Sequence, residues 1–93
     1  MRAIEWTSQF TRDYKRESKG RHRSTLDAEL SVVLNLLRCD EPLEPRYRDH
    51  ALTGEWKDCH DCHIKPDLVM IYQKPEGSTL RHIRIGSHSA LGL

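Results

Sequence analysis

Leu68-Val69-Met70-Ile71-Tyr72 is the most apolar run in the chain. A run this short and this uniformly apolar reads as a central strand buried on both faces. Its neighbours follow from the residues on either side. Pro75-Glu76-Gly77-Ser78 has the chemistry of a hairpin turn. Leu80 to Ile85 beyond it reads as a strand. Strict alternation would turn Ile83 and Ile85 one way, and His82, Arg84 and Gly86 the other. Upstream, Lys65-Pro66-Asp67 is a turn or strand entry, and Trp56 to Ile64 reads as the strand before it. The last seven residues form a short polar-to-apolar tail.

The first half has a different period. Ala3 to Trp6 reads as a short strand, and Thr7 or Ser8 can cap a helix after it. Phe10 and Tyr14 share one face of that helix, and Gly20 suits its end. Ser24 or Thr25 opens a second helix, with Leu26, Leu30, Val33, Leu34 and Leu37 as its apolar stripe. The two apolar faces suggest a helical hairpin. Arg38 to Thr53 has no period, and Pro42 and Pro45 oppose helix. It reads as a loop carrying Tyr47, Arg48, Asp49 and His50. The order is β-α-α-β-β-β. An α+β domain follows, with helices packed on a mainly antiparallel, twisted sheet.

Ninety-three residues, 37% hydrophobic and 31% charged, fit one globular domain at residues 1–93. No apolar run approaches a membrane span, and the N-terminus lacks the apolar stretch of a signal peptide. Three cysteines, an odd number, argue against a secreted disulfide framework. A cytoplasmic protein is expected. The net charge of +1 conceals a basic stretch formed by Arg12, Lys15, Arg16, Lys19, Arg21 and Arg23. Such a stripe is either a solvated helix face or a surface for phosphates.

The polar residues of the second half carry the chemistry. Arg84 can hold a phosphate and stabilise charge that builds on it. His88, four residues on, can protonate a leaving oxygen if the strand continues through Ser87 and keeps both side chains on one face. His63 and Asp67 flank Pro66 and can approach each other at the mouth of a hairpin. His50 can join them only if its loop folds over the sheet. The bland alternative is a set of surface charges and turn residues. Cys59-His60-Asp61-Cys62-His63 suggests zinc, but no second half-site follows. Alternation also puts Cys59, Asp61 and His63 on one face, and His60 and Cys62 on the other. No metal or other cofactor is expected. Trp6 and Trp56 read as core or sheet-edge packing, with stacking on a base the alternative for Trp56.

Taken together, Tyr47-Arg-Asp-His50, Leu52-Thr-Gly-Glu-Trp56, Asp61-Cys-His63-Ile-Lys-Pro66-Asp67, Ile71-Tyr72 and Arg84-Ile-Gly86-Ser-His88-Ser-Ala-Leu91 resemble the YafQ-like branch of the RelE/ParE toxin superfamily. The resemblance runs from Ile4 to Leu91. It implies a RelE-like fold and a ribosome-dependent endoribonuclease. Such a toxin cuts mRNA in the ribosomal A site without metal and is neutralised by a co-expressed antitoxin. By motif, the resemblance carries the active residues to His50, His63, Asp67 and His88, with Arg84 as the phosphate-binding cation. It turns the basic first helix toward ribosomal RNA. Two positions depart from the pattern. Leu68 stands where the branch can carry tryptophan, and Gly92 where an aromatic residue can sit.

The expected chemistry is transfer of a ribose 2′-hydroxyl proton to Asp67, His50 or His63, in-line attack on the adjacent phosphate, and protonation of the leaving 5′-oxygen by His88. The other reading on the same scaffold is a ParE-like inhibitor of DNA gyrase, which does not need the histidines.

Overall fold

The computed structural model describes residues 1–93. Its centre is β4 (Leu68–Gln73), whose two faces are both covered. Leu68, Met70 and Tyr72 enter a main core of 14 buried residues, while Val69 and Ile71 enter a second, smaller cluster. β3 (His60–Lys65) and β5 (Thr79–Gly86) flank β4, both antiparallel to it. β1 (Ala3–Trp6) lies outside β5, parallel to it, and β2 (His50–Ala51) lies outside β3. The sheet is therefore five-stranded, in the order β1-β5-β4-β3-β2.

α1 (Ser8–Glu17) and α2 (Leu26–Arg38) cover one face. Phe10 from α1 joins Leu26, Leu30, Val33, Leu34 and Leu37 from α2 in the main core, against Cys62, Ile64, Leu80 and Ile85 of the strands. The Thr7 side chain caps α1 by accepting the Phe10 N–H at 3.0 Å. The two helices form the expected hairpin over the sheet. Tyr14 of α1 donates a hydrogen bond to Asp27 of α2, and both helices pack down onto the strands. An open apolar groove lined by Trp6, Phe10, Tyr14, Leu30 and Leu34 runs along their seam. The basic stretch is not one helix face. α1 stops at Glu17, so Lys19, Arg21 and Arg23 belong to the interhelical loop.

β1 pairs only with Thr79 to His82, which leaves the edge of β5 open beyond that point. Side chains of α1 and its cap close it. Thr7 Oγ1 donates to the Ile83 carbonyl (2.8 Å), Asp13 accepts the Ile85 N–H (3.1 Å) and Arg16 donates to the Ile85 carbonyl (3.1 Å). Backbone groups that another strand would satisfy are met by a helix instead.

Four further features depart from the sequence reading. The pairing of β4 with β5 runs from Ile71↔Arg84 to Tyr72↔His82, which leaves Ile83 as the extra residue of a bulge. Ile83 and Ile85 therefore do not share a face: Ile83 packs on the second cluster and Ile85 in the main core. The strand expected from Trp56 begins only at His60, because Gly54 to Trp56 form a 3-10 turn and Gly54 and Asp58 both take positive φ. His50 is not in an irregular loop but in β2. The tail folds as α3 (His88–Leu91), capped by Ser87 at one end and by Gly92 in the left-handed conformation at the other.

Candidate active site

Register lines up the polar residues of the open face. His50 pairs with Asp61, Asp61 with Ile71 and Ile71 with Arg84, so one row crosses four strands. The next row runs from His63 through Val69 to Gly86. At about 4.8 Å between strands, Arg84 stands roughly 10 Å from Asp61 and Gly86 roughly 10 Å from His63. Val69, Ile71, Ile83 and Leu91 make the apolar floor between them.

His88 reaches this face by an unexpected route. β5 ends at Gly86, so the histidine is not delivered by a continuing strand. Ser87 turns the chain and accepts the Ala90 N–H at 3.1 Å, and Leu91 anchors the short helix among Val69, Ile71 and Cys59. His88 is thereby brought over His63, with ring centroids 4.9 Å apart and the rings edge-to-face.

Asp61 is the centre of charge. It is 3% exposed, and burial raises its carboxyl pKa against the opposing pull of His50, His63 and His88. His50 Nδ1 lies 2.9 Å from Asp61 Oδ1, but its hydrogen-bond geometry is to the Arg48 carbonyl at 2.8 Å. A carbonyl only accepts, so Nδ1 carries the proton and Nε2 of neutral His50 is left with a free lone pair. The His63 pKa is pushed down, first by burial and then by His88, with Arg48 and His50 adding to the effect and Asp61 opposing it. At neutral pH His63 is uncharged and able to take a proton.

The structure thus gathers His50, His63 and His88 around Asp61, with Arg84 on the flank. Asp61 is the member that sequence reasoning missed. Its shared face with His63 was visible, but its neighbour on β2 was not. Asp67 is held elsewhere. Its carboxylate lies 2.8 Å from His22 Nε2 and 3.2 Å from Arg21, which ties the β3–β4 turn to the interhelical loop. Burial is the largest single effect on its pKa and raises it, but the His22 hydrogen bond, a backbone hydrogen bond and the charges of His22 and Arg21 together outweigh it, so the carboxyl sits below its usual range.

Arg84 is clamped by Asp13 of α1, through Nε (2.6 Å) and Nη2 (3.3 Å). Arg12, Lys15, Arg16, Lys19, Arg21 and Arg23 are all exposed. Leu68 is a core residue, 1% exposed. Cys59 and Cys62 are both buried, one in each cluster. No three histidine, cysteine or acidic side chains converge on a point that would hold a metal ion.

Residues 2–92 match the family described as the bacterial toxin of type II toxin-antitoxin system, YafQ. The mRNA interferase toxin YafQ of Escherichia coli K12 is 37% identical over 90 residues, covering 97% of this chain and 95% of the relative. A copper-bound mutant toxin from Helicobacter pylori superposes with a TM-score of 0.84 at 34% identity, covering 98% of this chain and 99% of the other. YafQ in the E. coli DinJ-YafQ toxin-antitoxin complex superposes with a TM-score of 0.81 at 36% identity, covering 97% and 96%. On the strength of the match from residue 2 to residue 92, this chain belongs to the YafQ family of type II toxin-antitoxin toxins.

Proposed function

We propose that this toxin is an endoribonuclease that cuts mRNA in the ribosomal A site and is neutralised by a cognate antitoxin. The observation that carries the reading is the packing of His88 on His63 beside the buried Asp61. Cleavage through the ribose 2′-hydroxyl needs a base, an acid and a cation, and this face offers all three without a metal. His63, uncharged at neutral pH, takes the 2′-hydroxyl proton. The 2′-oxygen forms a bond to the adjacent phosphorus, and the bond from phosphorus to the 5′-oxygen breaks. His88 gives its proton to that 5′-oxygen. The products are a 2′,3′-cyclic phosphate and a 5′-hydroxyl. Arg84 neutralises the charge on the phosphorane-like transition state.

Asp61 stabilises the imidazolium that forms on His63, and His50 offers a second proton acceptor at the rim. Asp67, bound to His22, holds the turn that follows His63. Arg12, Lys15, Lys19, Arg21 and Arg23 form an exposed cationic surface suited to ribosomal RNA. The open, shallow face leaves substrate positioning to the ribosome. No helix is long and apolar enough to cross a membrane, in keeping with a cytoplasmic site of action. The likeness to an mRNA interferase, and to a toxin found bound to its antitoxin, supports both parts of the reading.

Translation-coupled cleavage mapped by primer extension tests it. The expected outcome is in-frame cuts that vanish in His88→Ala and His63→Ala. Translation that proceeds uncut in the presence of the unmodified protein would overturn the proposal.

A further inference from the structure

Arg16, though half exposed, differs from the other cations of α1 in what its guanidinium touches. Its guanidinium lies across β5 on the face that carries His63 and His88. A Cβ at Gly86 would stand 2.9 Å from Arg16 Nη2, beside Leu91 Cδ2 at 3.5 Å and Ala90 Cβ at 3.6 Å. Gly86 is paired with Val69, and Val69 with His63. The absent side chain is therefore on the open face, and Arg16 fills its place.

Asp13 holds Arg16 there. This carboxylate, 4% exposed, takes Arg16 Nη1 at 3.2 Å, Arg84 Nε at 2.6 Å and the Ile85 N–H at 3.1 Å. One buried acid thus joins two guanidinium groups side by side on adjacent rows of the sheet. Arg84 uses two of its five N–H donors on Asp13, and Arg16 uses three, on Asp13, Glu17 and the Ile85 carbonyl. Both keep donors free, and both are fixed before any ligand arrives. Fixed, paired guanidinium forks suit a phosphate far better than mobile lysines do.

We propose that Arg16 and Arg84, joined through Asp13, form a two-arginine site for the RNA backbone, with Arg16 binding the phosphate next to the scissile one. The site rests on the ribonuclease reading of this face. Gly86 is part of it, because any larger residue would displace Arg16.

The test is binding to ribosomes programmed with an mRNA made uncleavable by 2′-O-methylation at the A-site codon, over a range of salt concentrations. Each lost phosphate contact on a single strand lowers the slope of log K against log salt by about 0.7. Arg16→Gln is expected to weaken binding roughly tenfold and to remove one such increment. Gly86→Ala, which keeps every charge, should weaken binding in the same direction. Arg16→Lys should restore most of the slope and only part of the affinity. A normal slope in Arg16→Gln, with a reduced one in Arg84→Gln, would overturn the proposal while leaving the ribonuclease site intact. Normal slopes in both variants would instead remove the RNA-binding reading of the whole face. Should Arg16→Gln not fold, the slope of Gly86→Ala decides.

Discussion

His63 and Asp61 set each other's affinity for protons, and this has a measurable sign. A base with a lowered pKa gives a cleavage rate that rises with pH through a value below the ordinary 6.5 of histidine. Asp61 opposes that lowering, so Asp61→Asn should move the acidic limb of the pH–rate profile further down and slow the reaction at neutral pH. His63→Ala and His88→Ala should each cost on the order of 10²- to 10⁴-fold in rate, measured as single-turnover mRNA cleavage. A different histidine governs stability. His82 is fully buried between Trp6 and Phe10, with ring centroids 4.5 and 5.3 Å away, and neither of its nitrogens has a partner. Burial pushes its pKa down to about 4, whereas an unfolded histidine titrates near 6.5. Between those values only the unfolded chain takes up the proton. Stability is therefore complete above about pH 6.5 and falls as the pH drops toward 4. His82→Leu should flatten that fall in thermal melts at pH 5 and 7, with little loss at pH 7. The titratable residues were legible one by one because histidine is chemically conspicuous. Their company was not: Asp61 becomes central only through His50, and Asp67 turns away only because His22 and Arg21 lie within reach.

Among the elements, α3 has the largest effect for its length. It has four residues, and its position rests on the Ser87 cap, the left-handed Gly92 and the side chain of Leu91. Ser87→Ala removes the cap, a loss of about 1 kcal/mol in local stability. Leu91→Ala should let His88 drift from His63 and lower cleavage on the order of 10²-fold, with a much smaller effect on the melting temperature than a central core truncation. Comparing Leu91→Ala with Leu80→Ala, in rate and in melting temperature, checks this. The central strand, both long helices and the final hairpin could be read from periodicity, since each carries its own apolar pattern. β2 and α3 could not: two residues of one and four of the other are too short for any period to show. The bulge at Ile83 was hidden for a related reason, because a strand that gains one residue still looks like a strand. Glycine at position 92 also has a structural reason, since φ there is +73° and an aromatic side chain would strain it.

For the molecule as a whole, two apolar clusters on opposite sides of one sheet hold two of the three thiols apart. Cys59 and Cys62 lie in separate clusters, and only Cys39 is exposed. A thiol titration should show one fast-reacting group in the native protein and three in denaturant, with the Cys62 pKa raised by burial. Two fast groups would mean that the floor beneath the histidines opens readily. The α+β class and the mainly antiparallel sheet followed from the order of elements. The parallel pairing of β1 could not follow from local pattern, because its partner lies at the other end of the fold. That pairing sets an order of assembly. β1 has its sole neighbour in β5, and Ala3 must wait for Thr79. The same strand carries Arg84 and leads directly into His88. The sheet therefore cannot close at its first edge until the strand that supplies the candidate site is itself in place.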